Sequence, residues 1–283
     1  MIVTIFISGV TGGGAEKVSC AIASFLVSKG HKVELLTMSN ESATYPLDER
    51  VSRYCLLKES ERKNFLLNNI IRFARFVKYL LGYKPDVYLA MLPRNIITML
   101  SMKFLTSAKV IAAERATPAS YKQKIQKKLL SLASKADGWV FQTNEQKDWY
   151  TSRTSLDNPI VIPNAINTDV LKQGESVDRS KTIVSAGRLT DQKNHELLIN
   201  AFARIAEKHS DYNLMIYGEG PNREKLSNQI SRLNLNNRVF LHGYSSDVVS
   251  SVSKSSLFVL SSDFEGMPNA LMEAMAMGVP SIS

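Results

Sequence analysis

Short runs of β-branched and apolar residues alternate along the chain with longer segments whose apolar positions recur every three or four residues. The first run, Ile2–Ser8, reads as a buried strand. A glycine loop follows it, and helical periodicity then runs from Ala15 to Ser28. Further strands are predicted at Lys32–Met38, Asp86–Met91, Lys109–Ala113 and Gly138–Gln142, with helices near 63–82, 95–105, 119–135 and 144–152. Strands that alternate with helices need crossover connections, and crossovers produce a parallel sheet covered on both faces.

Near Ile160–Ile162 the pattern reaches Pro163-Asn164 and then a polar stretch without periodicity, Lys172-Gln173-Gly174-Glu175-Ser176. That stretch is the predicted linker. The alternation then restarts with strand Thr182–Ala186, helix 194–207, strand Asn213–Tyr217, helix 221–232 and strand Arg238–Leu241. Helix 246–254, strand Leu257–Ser261, helix 268–277 and strand Val279–Ile282 complete it. The expected fold is α/β, two doubly wound domains at 1–164 and 165–283. Val279–Ser283 reads as the start of a core strand. Such a strand needs a crossover after it, so the second domain is expected to be incomplete.

Composition narrows the class without changing this picture. A chain of 283 residues fits two domains at roughly 100–200 residues each. Its 44% hydrophobic content and mixed charge exclude a disordered chain. Two cysteines, Cys20 and Cys55, cannot build a disulfide framework or a four-ligand zinc site, which points to a reducing compartment. No basic leader precedes the apolar start Met1-Ile2-Val3, which argues against a signal peptide. The longest apolar stretches, 64–83 and 86–105, are interrupted by Arg72, Arg75, Lys78 and Arg94 and make poor membrane spans.

Charge does change the picture. The net +9 is confined to the first domain: 1–164 has 23 Lys/Arg against 13 Asp/Glu, and 165–283 has 12 against 13. A basic surface suits nucleic acid, anionic lipid or an anionic substrate. The basic residues cluster on two segments with apolar companions. In 62–84, Arg62, Lys63, Arg72, Arg75, Lys78 and Lys84 interleave with Phe65, Leu66, Ile70, Phe73, Phe76, Val77 and Leu80. In 121–135, Lys122, Lys124, Lys127, Lys128 and Lys135 accompany Ile125, Leu129, Leu130 and Leu132. Each segment reads either as an ordinary amphipathic helix packed on the sheet or as an attachment to an anionic membrane surface. No nucleic-acid-binding signature accompanies them.

Three loops carry candidate chemistry. Strand Leu257–Ser261 runs into Ser262-Asp263-Phe264-Glu265-Gly266-Met267-Pro268-Asn269-Ala270, where Pro268 suits the first turn of a helix. The unpaired N–H groups of that turn form an anion site at the carboxyl end of a strand. Glu265 and Glu273, eight residues apart, read either as a loop acid and a solvated helix residue or as two grips on a hydroxyl-rich ligand. The second loop, Gly187-Arg188-Leu189-Thr190-Asp191-Gln192-Lys193, also follows a strand. Arg188 and Lys193 suit a diphosphate, whose charge grows as it leaves, although Arg188 has the alternative of pairing with Asp191. In the third, Gly12-Gly13-Gly14 permits close backbone approach of a ligand, but a tight strand-to-helix turn also needs glycine.

Taken in order, the glycine loop, Pro163-Asn164-Ala165-Ile166, Gly187-Arg188 with Lys193, and Glu265-Gly266-x-Pro-x-Ala-x-x-Glu273 resemble the retaining glycosyltransferases of family 4. The resemblance implies the GT-B fold, two Rossmann-like domains with an active-site cleft between them, and a chain truncated at its C-terminus. It implies that Arg188, Lys193 and Glu265 act in catalysis. Gly13, Gly14, Asn164, Gly187, Glu265, Gly266, Met267, Pro268, Asn269, Ala270 and Glu273 would hold a nucleoside diphosphate sugar, by analogy a UDP-sugar. Many members place a histidine where this chain has Glu114-Arg115, so these two become acceptor-side candidates.

The implied acceptor is a lipid-linked or polysaccharide glycan of a bacterial surface. The implied place is the cytoplasmic side of the plasma membrane, peripherally bound, with no metal cofactor and no nucleic acid. Two rivals remain at this point. Asp263-Phe264-Glu265 superficially resembles the metal-binding acidic motif of the other common glycosyltransferase fold, and the chain could be an inactive fragment that at most binds a nucleotide sugar.

Overall fold

The computed structural model describes residues 1–10, 13–39, 45–166, 179–245 and 247–283. Gly12 of the glycine loop and the predicted 172–176 linker lie outside the described residues. The chain divides into two compact units, Met1–Asn164 and Ala165–Ser283.

In chain order, unit 1 contains β1 (Ile2–Ile7), α1 (Gly14–Ser28), β2 (Lys32–Thr37), β3 (Ser52–Cys55), α2 (Phe65–Gly82), β4 (Val87–Met91) and α3 (Pro93–Ser101). β5 (Lys109–Ala113), α4 (Gln123–Leu132), β6 (Gly138–Phe141), α5 (Asn144–Thr151) and β7 (Pro159–Val161) follow. The strands form one sheet in the order β3-β2-β1-β4-β5-β6-β7, and every neighbouring pair is parallel. Residues of β1 alternate between two cores, which is why its apolar run is continuous. Phe6 packs with Phe76, Tyr79 and Leu80 of α2 on one face, and Ile5 and Ile7 pack with Cys20, Ala23 and Val27 of α1 on the other. Each such buried large apolar side chain contributes roughly 1.5–3 kcal/mol.

Unit 2 contains β8 (Ser180–Ala186), α6 (His195–Ile205), β9 (Asn213–Tyr217), α7 (Arg223–Arg232) and β10 (Val239–Gly243). α8 (Val248–Ser253), β11 (Ser255–Val259), α9 (Asn269–Ala276) and β12 (Ser281–Ile282) complete it. Its sheet has the order β10-β9-β8-β11-β12, again parallel throughout. Ile183, Leu214 and Ile216 pack on α6 and α7, and Val184 and Phe258 pack on α8 and α9.

Both sheets grow outward from their first strand in one direction and then resume on its other side. The order therefore reverses between β1 and β4, and again between β8 and β11. At such a switch point the crossovers leave in opposite directions, opening a crevice at the carboxyl ends of the strands where ligands bind.

The sequence pattern missed β3, whose residues Ser52-Arg53-Tyr54-Cys55 lack an apolar run because it is an edge strand with exposed or half-buried positions. β7 is the other edge, and its Pro159 is tolerated there because an edge residue need not donate to a neighbour. The predicted 119–135 helix is shorter, with single 3₁₀ turns at Pro118–Ser120 and Ala133–Lys135 flanking α4. Among the described residues no helix is long and apolar enough to cross a membrane.

Candidate functional site

The richest chemistry lies at the switch point of unit 2. The loop after β8 passes through a 3₁₀ turn at Asp191–Lys193 and ends at Asn194, which is left-handed (φ 44°, ψ 45°) and caps α6 by accepting from the Leu197 N–H. The loop after β11 is laced to it. The Asp263 N–H donates to the Gln192 carbonyl (2.9 Å), and Gln192 Nε2 donates to the Phe264 carbonyl (3.0 Å). Asn194 Nδ2 donates to Asp263 Oδ1 (2.8 Å), and Ser261 Oγ donates to the Lys193 carbonyl (2.8 Å). Within this frame Lys193 Nζ meets Glu265 Oε1 at 2.6 Å, with the two side chains only 19% and 20% exposed. A pair so far withdrawn from water is held in one geometry, and losing either partner would leave an uncompensated charge.

The loop after β9 supports the same frame, and sequence reasoning passed over it. The Gly187 N–H donates to the Tyr217 carbonyl (2.9 Å), and the Leu189 N–H donates to the Glu219 carbonyl (3.0 Å). Gly218 has φ +137°, and a Cβ on it would collide with the Gly187 carbonyl. A Cβ on Gly220 would collide with the Leu189 backbone. The detectable signal was a pair of glycines flanking one residue directly after a strand. Gly187 itself lets the aliphatic stem of Lys193 lie across it, since a Cβ there would sit 3.1 Å from Lys193 Cε.

Arg188 projects from the same loop and is exposed. It makes no ion pair among the described residues. Asp191, its alternative partner, instead accepts from Asn222 Nδ2 (2.7 Å). Gly266, Met267, Asn269, Ala270 and Glu273 follow along the loop and α9, all half-buried. Pro268 stands one position earlier than expected. It is the N-cap (φ −75°, ψ 107°) rather than a first-turn residue, and its carbonyl accepts from the Met272 N–H (3.2 Å). A proline fits either position because neither needs its missing N–H.

His195 opens α6 and is 3% exposed, with Nδ1 unpaired inside the fold. Burial, reinforced by the Lys193 cation, lowers its pKa to about 4. Sequence reasoning did not single it out.

Unit 1 has a different kind of switch point. Gly13 caps α1 in an extended conformation, Gly14 is the first helical residue, and the Glu16 carboxylate lies where a Gly13 Cβ would be. Across the crevice, Leu92 adopts φ 71°, ψ 149°, a conformation costing a branched residue about 1–3 kcal/mol. Asn95 ties the two strand ends together, donating from Nδ2 to the Met91 carbonyl (2.8 Å) and to Ser8 Oγ (3.2 Å).

Glu114, expected on the acceptor side, is enclosed by the fold. It is fully buried at the end of β5, and its carboxylate accepts from Tyr121 (2.6 Å), Tyr150 (2.7 Å) and the Arg115 N–H (2.9 Å). A carboxylate enclosed in this way braces the fold by tying the end of β5 to the two tyrosines. Its pKa is raised, because burial outweighs the donated hydrogen bonds. Arg115 is half-buried, its pKa lowered by desolvation to about 10, and its guanidinium donates to Asn164 Oδ1. The structure thus joins Arg115 to Asn164 and Lys193 to Glu265.

The family model described as Glycosyltransferase Family 4 matches residues 12–170, and that of Glycosyl transferases group 1 matches residues 167–283. The chain belongs to glycosyltransferase family 4. This family 4 chain is 32% identical over 238 residues to an uncharacterized glycosyltransferase of Methanocaldococcus jannaschii, covering 75% of this chain and 58% of that relative. It is 29% identical over 292 residues to a Campylobacter jejuni N-acetylgalactosaminyltransferase named for a diphospho-undecaprenol acceptor, covering 96% of this chain and 77% of the relative. The structure of Anabaena HepE in complex with UDP and glucose superposes with a TM-score of 0.77 at 16% identity, covering 100% of this chain and 80% of that one. The fold of this glycosyltransferase is therefore of the GT-B class, with two parallel-sheet α/β units.

Proposed function

We propose that this glycosyltransferase moves a sugar, of the hexosyl type, from a nucleoside diphosphate sugar to a lipid-linked or polysaccharide acceptor of a bacterial surface glycan. The donor is a UDP-sugar and the anomeric configuration is retained. Unit 2 holds the donor and unit 1 the acceptor. The observation that carries this reading is the Lys193–Glu265 pair, laced in place at the carboxyl ends of β8 and β11. Bound donor phosphate exchanges for Glu265 as the partner of Lys193, which releases Glu265 to the hydroxyls of the transferred sugar. Arg188 and the first turn of α9, from Pro268 to Ala270, add positive potential as the diphosphate departs. Glu273 grips the nucleotide ribose. The acceptor oxygen bonds to the anomeric carbon, the bond from that carbon to the diphosphate breaks, and the hydroxyl proton passes to a leaving phosphate oxygen.

No metal takes part in this proposal. Asp263 and Glu265, the two acids of the rival metal motif, already accept from Asn194 and Lys193. The same reading places the enzyme peripherally at the cytoplasmic face of the plasma membrane, against anionic lipid, through the basic segments 62–84 and 121–135.

Transfer from radiolabelled UDP-sugars to an undecaprenyl-diphosphate-linked glycan, with and without EDTA, tests the scheme. Turnover should persist in EDTA, and Lys193→Ala should lower it by about a hundredfold to a thousandfold. Normal turnover by Lys193→Ala would end the assignment, and donor binding without transfer would favour the rival of a nucleotide-sugar binder.

A further inference from the structure

One helix of unit 1 is apolar on two faces. The inner face of α2 buries Phe76, Tyr79 and Leu80. A second stripe, Leu66, Ile70, Phe73, Val77 and Leu81, advances in steps of three or four residues and so keeps to one side of the helix. Leu66, Ile70, Phe73 and Leu81 are 54–70% exposed, and Phe65 at the helix start is 83% exposed. A helix that only covers a sheet carries polar residues on its outer face, whereas a contiguous apolar stripe marks a docking surface.

Charge identifies the occupant. Segment 62–84 carries six cations and no Asp or Glu. Two of these are used within the fold. Arg72 Nε donates to the Met38 carbonyl (3.2 Å), and Arg75 pairs with Glu61 (2.6 Å). Arg62 lies 3.9 Å from Glu59. Lys63, Lys78 and Lys84 are exposed and make no ion pair among the described residues. A second copy of the chain would set these like charges against one another, whereas an anionic bilayer complements them.

The other basic helix differs. On α4, Leu129 and Leu132 are buried, Ile125 and Leu130 pack against the same core, and lysines occupy the outer face. It is an ordinary amphipathic helix.

We infer that α2 lies in the plane of an anionic membrane surface, with Leu66, Ile70, Phe73 and Leu81 entering the acyl boundary and Lys63, Lys78 and Lys84 meeting headgroup phosphates. This rests on the membrane-surface reading above and narrows it to one helix. Sedimentation of the full chain with phosphatidylcholine vesicles, with and without phosphatidylglycerol, tests both levels. The wild type should bind the anionic vesicles alone. Ile70→Ser with Phe73→Ser should lower partitioning by about tenfold at unchanged thermal stability, and Lys127→Glu with Lys128→Glu should lower it by less than about threefold.

Wild type that binds neither vesicle overturns the membrane reading itself. Wild-type binding retained in the Ile70/Phe73 variant overturns only the assignment to α2, as does an equal loss on reversing the α4 charges. A wild-type dimer made monomeric by the Ile70/Phe73 substitutions, with vesicle binding intact, would assign the stripe to self-association and also overturn the proposal.

Discussion

The two units share a sheet plan and use its switch point in opposite ways. In unit 2 the loops after β8, β9 and β11 are bonded to one another, and the charges Lys193 and Glu265 stand in the crevice itself. In unit 1 the crevice is lined by Gly13 with the Glu16 carboxylate beside it, Gly14, the strained Leu92 and the neutral Ser8–Asn95 pair. Another acid, Glu114, sits one strand further along at the end of β5 and is buried. A rigid crevice with preset charge suits one recurring polyanion, because no reorganisation is required when charge develops. A crevice bounded by glycine and local strain has fewer cross-loop ties to hold it in one shape. Shared topology supplies the place for a ligand, and the loops decide its chemistry.

The sharpest way to break this contrast is to loosen the laced loops. Gly218→Ala combines a backbone conformation that a side chain rarely adopts with a collision against the Gly187 carbonyl. It should destabilise unit 2 by about 4–5 kcal/mol. Both tryptophans, Trp139 and Trp149, belong to unit 1, so intrinsic fluorescence follows that unit alone. The urea transition seen by circular dichroism should therefore move, while the fluorescence transition stays. A shift of both together would show that the units do not unfold separately.

Glu114→Ala is the complementary break. It leaves the buried hydroxyls of Tyr121 and Tyr150 without an acceptor and should cost about 4 kcal/mol, now in the fluorescence transition. Glu114→Gln retains an acceptor oxygen and should cost less. If Glu114→Ala were stable but defective in acceptor binding, the bracing role would be wrong and the acceptor-side expectation would stand.

How much of this was legible depended on distance along the chain. Strands such as Lys109–Ala113 and Asn213–Tyr217 were readable because one face is buried, the other is largely covered, and the apolar run is local. β3 was not, since an edge strand needs no such run. Arg188, Lys193 and Glu265 could be singled out because a loop after a strand and before a helix puts its residues at the carboxyl edge of the sheet. Their pairing could not be read, because 72 residues separate Lys193 from Glu265. The enclosure of Glu114 was hidden for a related reason. Its place at a strand end was visible, but the tyrosines that enclose it lie 7 and 36 residues away. The helices α2 and α4 share composition and period, and only packing separates the one that exposes a stripe from the one that buries it.

Acid offers a smaller test of the same contrast, because Glu114 in unit 1 and His195 in unit 2 are buried with pKa shifts of opposite consequence between pH 7 and pH 4. His195 titrates near 6.5 when unfolded and about 4 when folded. Between those values the unfolded state binds more protons, so unit 2 loses stability as pH falls through that window, by up to about 3 kcal/mol. Glu114 has a raised pKa in the fold. Above its unfolded value of 4.5 the folded state binds more protons, so this group makes unit 1 more stable as pH falls toward that value. Urea melts between pH 7 and pH 4, followed by fluorescence for unit 1 and by hydrogen exchange at β8 and β9 for unit 2, should show the second unit weakening first. His195→Gln should flatten the exchange profile of unit 2 and leave the fluorescence profile unchanged. Equal acid sensitivity in wild type and His195→Gln would mean that the imidazole is not the buried neutral group whose protonation weakens the laced frame of unit 2.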